Sequence, residues 1–160
     1  MGAIEAFRDS DVTVANIEMV INDWLSPCSP LTGATWAITD PKNADQLARI
    51  AIGLAILANN HVSEFGVGGQ ALTQEALDRL DITHAGVGKT LGAAQRARCR
   101  DNAAGRVALL SATSNCMPDA PTAAHPRADA AAFSRPRHGL PVHTQYVANK
   151  HYPSSGSNAR

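Results

Sequence analysis

The tetrad Ala58-Asn59-Asn60-His61 follows the apolar run Leu54-Ala55-Ile56-Leu57. An amide oxygen and an imidazole delivered together at the end of a strand can bind a metal ion and handle a proton. A short continuous apolar run is the pattern of a buried parallel strand. In open α/β sheets the ligand site lies beyond the carboxyl ends of the strands. The plainer alternative is a turn, because Asn is a common turn former, with His61 at the surface.

Upstream, Asp11-Val12-Thr13-Val14-Ala15 alternates polar and apolar residues before Asn16-Ile17-Glu18. In extended chain Asn16 and Glu18 project from the same face. Two strand ends then carry Asn/Glu and Asn/His, hard oxygen donors plus one imidazole. That set suits a divalent ion with carboxylate, amide and water ligands better than a thiolate zinc site. The alternative is a cap formed by Asn16, with Glu18 solvated.

These stretches together resemble the capsule-synthesis family of poly-γ-glutamate biosynthesis proteins, a branch of the calcineurin-like metallophosphoesterases. The resemblance runs over residues 11–113 and more faintly to Val147. Val14-Ala15-Asn16-Ile17-Glu18 resembles the family's Asn-Leu-Glu signature, and Trp36-Ala37-Ile38-Thr39-Asp40-Pro41 its aromatic-to-proline segment. Leu57-Ala58-Asn59-Asn60-His61-Val62-Ser63-Glu64-Phe65-Gly66 is similar to its most recognisable block, in which Asp usually stands where this chain has Glu64. Ile82-Thr83-His84-Ala85-Gly86-Val87-Gly88 resembles the Gly-x-Gly turn that follows.

The resemblance implies an αββα sandwich and hydrolysis of a phosphoester, small or polymer-linked, by a metal-activated water, with Mn²⁺ or Mg²⁺ as the ion. Glu18 and Asn60 would be metal ligands, His61 the group that protonates or steadies the leaving oxygen, and Asn16, Asn59 and Glu64 ancillary polar groups. The family's early Gly-Asp metal motif has no counterpart in Gly2-Ala3-Ile4, and its Gly-His-x-His motif is not matched by His138 and His143. The chain therefore reads as an internal piece of a longer protein, and a truncated non-catalytic fragment is the competing expectation.

Elements that could position these residues follow from the pattern. Asp40-Pro41 starts a helix, with Asp at the N-cap and Pro at the first helical position. Leu47, Ile50, Ala51 and Leu54 continue at near-helical spacing, and Gly53 offers a stop. Residues 54–58 are the strand, 70–80 a second helix with Leu72, Ala76, Leu77 and Leu80 facing the core, 82–85 a short strand, 90–97 an Ala-rich helix, and 107–110 a further buried strand. Strands alternating with helices predict a mostly parallel sheet in an α/β domain. We expect that domain over 11–114, with a loop at 26–35, an irregular continuation over 115–152, where prolines break any periodicity, and a disordered polar tail at 153–160.

Composition sets outer limits. The 160 residues leave room for one domain, but with 44% hydrophobic and only 4% aromatic residues much of the apolar fraction is alanine and the core is thin. A formal net charge of zero gives no electrostatic case for nucleic acid or an anionic membrane. Cys28, Cys99 and Cys116 are far apart and include no C-x-x-C pair, so neither a disulfide framework nor a structural zinc site is expected. The N-terminus lacks a basic n-region and no run of about 18 apolar residues occurs, so neither a signal peptide nor a transmembrane helix is predicted, and a cytoplasmic setting is the expectation.

Gly88-Lys89-Thr90 invites a nucleotide-binding reading, but a phosphate loop needs Gly five residues before Gly88 and that position is Thr83. A Gly-rich turn with a solvated Lys89 is favoured. His84 could line the same sheet edge as His61, with a surface role favoured. Arg96, Arg98, Arg100 and Arg106 around Cys99 read as a solvated basic face.

Overall fold

The computed structural model describes residues 2–29 and 36–113. The irregular continuation, the tail, Cys116 and the last four histidines lie outside the described residues, as does most of the 26–35 loop. Three short apolar segments, β1 (Val14–Asn16), β4 (Leu54–Ile56) and β5 (Thr83–Ala85), form a parallel sheet in the order β1-β4-β5. Asn16 pairs with Ile56, and Ile56 with Ala85, so all three strands end level and point the same way. This is a mixed α/β fold with a mostly parallel sheet.

A second parallel pair, β2 (Val20–Ile21) and β3 (Ile38–Thr39), lies beside it. Helix α2 (Pro41–Arg49) connects β3 to β4, and α3 (Gly66–Arg79) connects β4 to β5. A short α1 (Ala3–Arg8), with no sequence signal assigned to it above, precedes β1 and is tied to α2 by Arg8, whose guanidinium donates to the Arg49 carbonyl at 2.8 and 3.0 Å.

Helix α2 begins as the sequence dictates. Asp40 is the N-cap and its carboxylate accepts from the Lys42 amide at 2.9 Å. Its end differs from expectation. The residue in left-handed backbone is Ala51, φ 63°, rather than Gly53. Ile52 N–H reaches back to Leu47 O and Ala51 N–H to Ala48 O, both at 3.0 Å, the paired closure of a Schellman turn. Helix α3 ends the same way, with Asp81 at φ 54° and Ile82 N–H on Leu77 O.

Strand alternation places Ala55 and Leu57 against one layer, where Ile17, Ile52, Leu77 and Ile82 are buried with them. The other face buries Leu54 and Ala85 under Leu109. Leu109 belongs to a feature the sequence did not suggest. The basic stretch and the expected buried strand form an antiparallel hairpin, β6 (Arg98–Asn102) and β7 (Gly105–Leu109), in place of another parallel strand, and Arg96, Arg98 and Arg106 are exposed as expected. Its turn is set by Asn102, whose Oδ1 accepts from Ala104 N–H and Gly105 N–H at 2.8 and 2.9 Å, local chemistry typical of Asn. Alanines 44, 55, 58 and 76 sit in the buried layer, in keeping with the thin core expected from composition.

Helix α3 starts four residues earlier than expected, at Gly66, and α4 is only Leu91–Ala94. Thr90 caps α4, accepting from Ala93 N–H at 3.2 Å. A Cβ on Gly88 would stand 2.7 Å from the Ala93 and Ala94 backbone, so Gly88 permits a close turn. With the Thr90 hydroxyl spent on a helix of one turn, this geometry favours the Gly-rich turn over a phosphate loop.

Candidate functional site

The parallel register delivers β1 and β4 to one sheet end, and the polar residues that follow are joined there. The Asn16 side-chain amide donates to Glu18 Oε1 at 2.8 Å. The Asn59 amide donates to Asn16 Oδ1 at 3.2 Å and to the Ile17 carbonyl at 2.8 Å. Asn59 Oδ1 accepts from the His61 backbone N–H at 3.0 Å. His61 Nδ1 lies 2.7 Å from Glu64 Oε1. Glu18, Asn16, Asn59, His61 and Glu64 are therefore links of one hydrogen-bonded chain. Asn60 is half-buried between Asn59 and His61 in sequence.

The turn after β4 explains the last link. Glu64 N–H donates to the His61 carbonyl at 3.0 Å, closing a tight turn that brings both side chains to the same side. The Glu64 side chain has no solvent exposure, whereas that of His61 is 21% exposed. A buried carboxylate must be paired and hydrogen-bonded to be tolerated. Glu64 meets that need twice, with Oε1 at His61 and Oε2 accepting from Ala37 N–H. The tautomer that complements a carboxylate acceptor has its proton on Nδ1, which leaves Nε2 for chemistry.

Around the pair, Ser29 N–H donates to the Glu64 carbonyl and the Ser26 hydroxyl to the Phe65 carbonyl, both at 2.8 Å. Trp24 meets buried Phe65 edge-on, with centroids 5.9 Å apart. Ala58 N–H, at the head of the tetrad, donates to the Ser111 hydroxyl at 3.1 Å. Sequence reasoning missed Ala37, Ser29 and Ser111. Ala37 and Ser29 meet Glu64 through backbone N–H groups, which leave no trace in residue type, and Ser111 is one hydroxyl in a polar run.

The donors fall short of a metal centre by themselves. Glu18 is exposed and one of its oxygens is occupied by Asn16, and both oxygens of Glu64 face other partners. Among the described residues no three His, Cys, Asp or Glu side chains gather as an ion site. Mn²⁺ and Mg²⁺ favour octahedral oxygen-rich coordination, which one exposed carboxylate and one amide do not fit.

His84 departs from its expected surface role. It is 6% exposed, with Nε2 3.0 Å from Asp78 Oδ1, because β5 turns it toward the last turn of α3. It is not part of the His61 chain of hydrogen bonds.

The chain matches the bacterial capsule synthesis protein family PGA_cap over residues 2–155. It is also similar to two proteins of Sinorhizobium fredii (strain NBRC 101917 / NGR234), the uncharacterized proteins y4sH and y4uA. Each is 36% identical over 119 residues, which cover 72% of this chain and 26% of the relative. The chain thus spans about a quarter of the length of these relatives. Among the described residues no helix is long and apolar enough to cross a membrane. With the match running through the strand-end cluster and nearly the whole sequence, this chain belongs to the bacterial capsule synthesis protein PGA_cap family.

Proposed function

We propose that His61 and Glu64 form the proton-handling pair of a phosphoester-hydrolysing site that serves capsule synthesis. The observation that carries this is the 2.7 Å contact between His61 Nδ1 and a carboxylate with no solvent exposure. Such a contact fixes the tautomer and the ring orientation, as general acid–base catalysis requires. A water oxygen attacks phosphorus while its proton passes to His61 Nε2, the bond to the leaving group breaks, and the leaving oxygen takes that proton from Nε2. Glu64 is a positioning residue, and Asn59 holds the His61 backbone. Glu18 and Asn60 are the donors this chain offers a divalent ion, and two are too few to hold one unaided, so no step is derived through a metal.

The test is hydrolysis of a chromogenic phosphomonoester and phosphodiester by the full chain. His61→Ala is expected to lower turnover by about 10² or more, the usual contribution of a positioned acid. Equal turnover by wild type and His61→Ala overturns the assignment.

A second, non-catalytic reading is favoured by the thin donor set described above. A folded wild-type chain with no turnover on either ester, with and without added Mn²⁺, supports it.

A further inference from the structure

Among the described residues strand β5 pairs with β4 alone, and its other edge borders a cavity of about 450 Å³. The walls are Asp78 from α3, Thr83 and His84 from β5, and Arg96, Arg98 and Cys99 from the entry to β6. None of these residues belongs to the His61 site. The volume is that of a small-ligand pocket.

The arginines here differ from most others in the fold. Arg8 donates to the Arg49 carbonyl, Arg79 to Asp45, Arg100 to Asp81 and Arg106 to Asp101. Arg96 and Arg98 carry no such bond to a described residue, and both stand at this cavity. Among the described residues the single carboxylate in the wall, Asp78, is engaged by His84. The lining therefore holds two guanidinium charges against one carboxylate, an excess of positive charge at a concave site. His84 is nine-tenths buried, and its Nδ1 has no hydrogen bond to a described residue.

A guanidinium is a planar fork of donors that matches the two oxygens of a carboxylate or phosphate. Two such forks beside a buried imidazole form a recognition set for an oxyanion. We propose that this cavity is a second binding site, which takes the phosphate or carboxylate group of a small acidic ligand between Arg96 and Arg98, with His84 in its wall. The proposal does not depend on the role assigned to His61.

Calorimetric titration of the full chain with inorganic phosphate, and separately with glutarate, at low ionic strength tests it. Saturable binding of either anion is expected, and the tighter of the two names the group recognised. Arg96→Ala and Arg98→Ala should each weaken binding about tenfold, the loss of one charge-assisted contact. Both side chains are exposed, so the variants should keep the wild-type circular dichroism spectrum. Arg49→Ala, an exposed arginine outside the cavity, should bind as wild type. No saturable binding of either anion, binding untouched by the double variant, or an equal loss in Arg49→Ala would overturn the proposal.

Discussion

Asn59 reaches across from the turn after β4 to Asn16, the last residue of β1, with its amide 3.2 Å from Asn16 Oδ1. The two residues are 43 positions apart, so the contact joins two separate strand ends. Through the same side chain the His61 backbone is held at 3.0 Å.

Asn59→Ala removes all three side-chain bonds of a residue that is 6% exposed. We expect a loss of about 2–3 kcal/mol, because the Ile17 carbonyl and the His61 amide lose their partner. Denaturant unfolding measures it. Any turnover that depends on His61 should fall by about 10²-fold as the ring shifts.

Glu64→Asp bears on the position where this chain departs from the Asp usual in the family it resembles. A carboxylate shorter by one methylene cannot span His61 Nδ1 and Ala37 N–H from the same backbone. We expect destabilisation of about 1–3 kcal/mol from the buried group left unpaired. Unchanged stability would show that the β3 approach can relax to follow the shorter side chain.

Gly86 has φ 108°, and an added Cβ would lie 2.6 Å from both Ala58 N and Ser111 Oγ. Gly86→Ala combines an unfavourable backbone conformation with a clash at the head of the tetrad. A cost of about 3 kcal/mol or more is expected, and the amide resonances of Ala58 to His61 should shift in the same variant.

The pH dependence of α2 follows from its cap. The backbone hydrogen bond from Lys42 holds the Asp40 carboxyl below its ordinary value of 3.8. A depressed folded-state value means that the contribution is complete above 3.8 and is lost as pH falls through the lower folded value. Asp40→Ala should therefore melt a few degrees below wild type at neutral pH, with the gap closing as pH falls through the lowered folded value. A gap that persists in acid would place the effect outside the charge.

Much of this arrangement was legible in residue order. The run Leu54 to Leu57 ending in Asn59 and His61 announced a strand with polar residues at its carboxyl end, and Asp40-Pro41 announced a helix start. Both are local signals. What stayed hidden depends on tertiary context. Glu64 stood out in the sequence as a departure from the family's usual Asp, and nothing there says that this glutamate is wholly buried or that Ala37 N–H meets it. The β6–β7 hairpin was hidden because Arg98 to Asn102 carries no apolar alternation. Its pairing comes from the Asn102 turn and from Leu109 settling on Leu54. Gly53 suggested a helix stop because glycine usually takes the left-handed position, yet Ala51 takes it, held by Ile52 and Leu47 packing in the core.

That helix end also works as a counting device. The Ala51 turn fixes where the chain leaves α2, and the residues after it are dealt alternately to the two sheet faces: Ala55 and Leu57 to the helix side, Leu54 to the hairpin side. Inserting a single residue at Gly53 would exchange those faces and turn Asn59 away from Asn16. Inserting two would restore the faces but carry the tetrad about 7 Å along the strand, past the end of β1. The distance in sequence from Ala51 to His61 is thus a structural dimension, and length changes in this stretch should be tolerated far less than most side-chain substitutions.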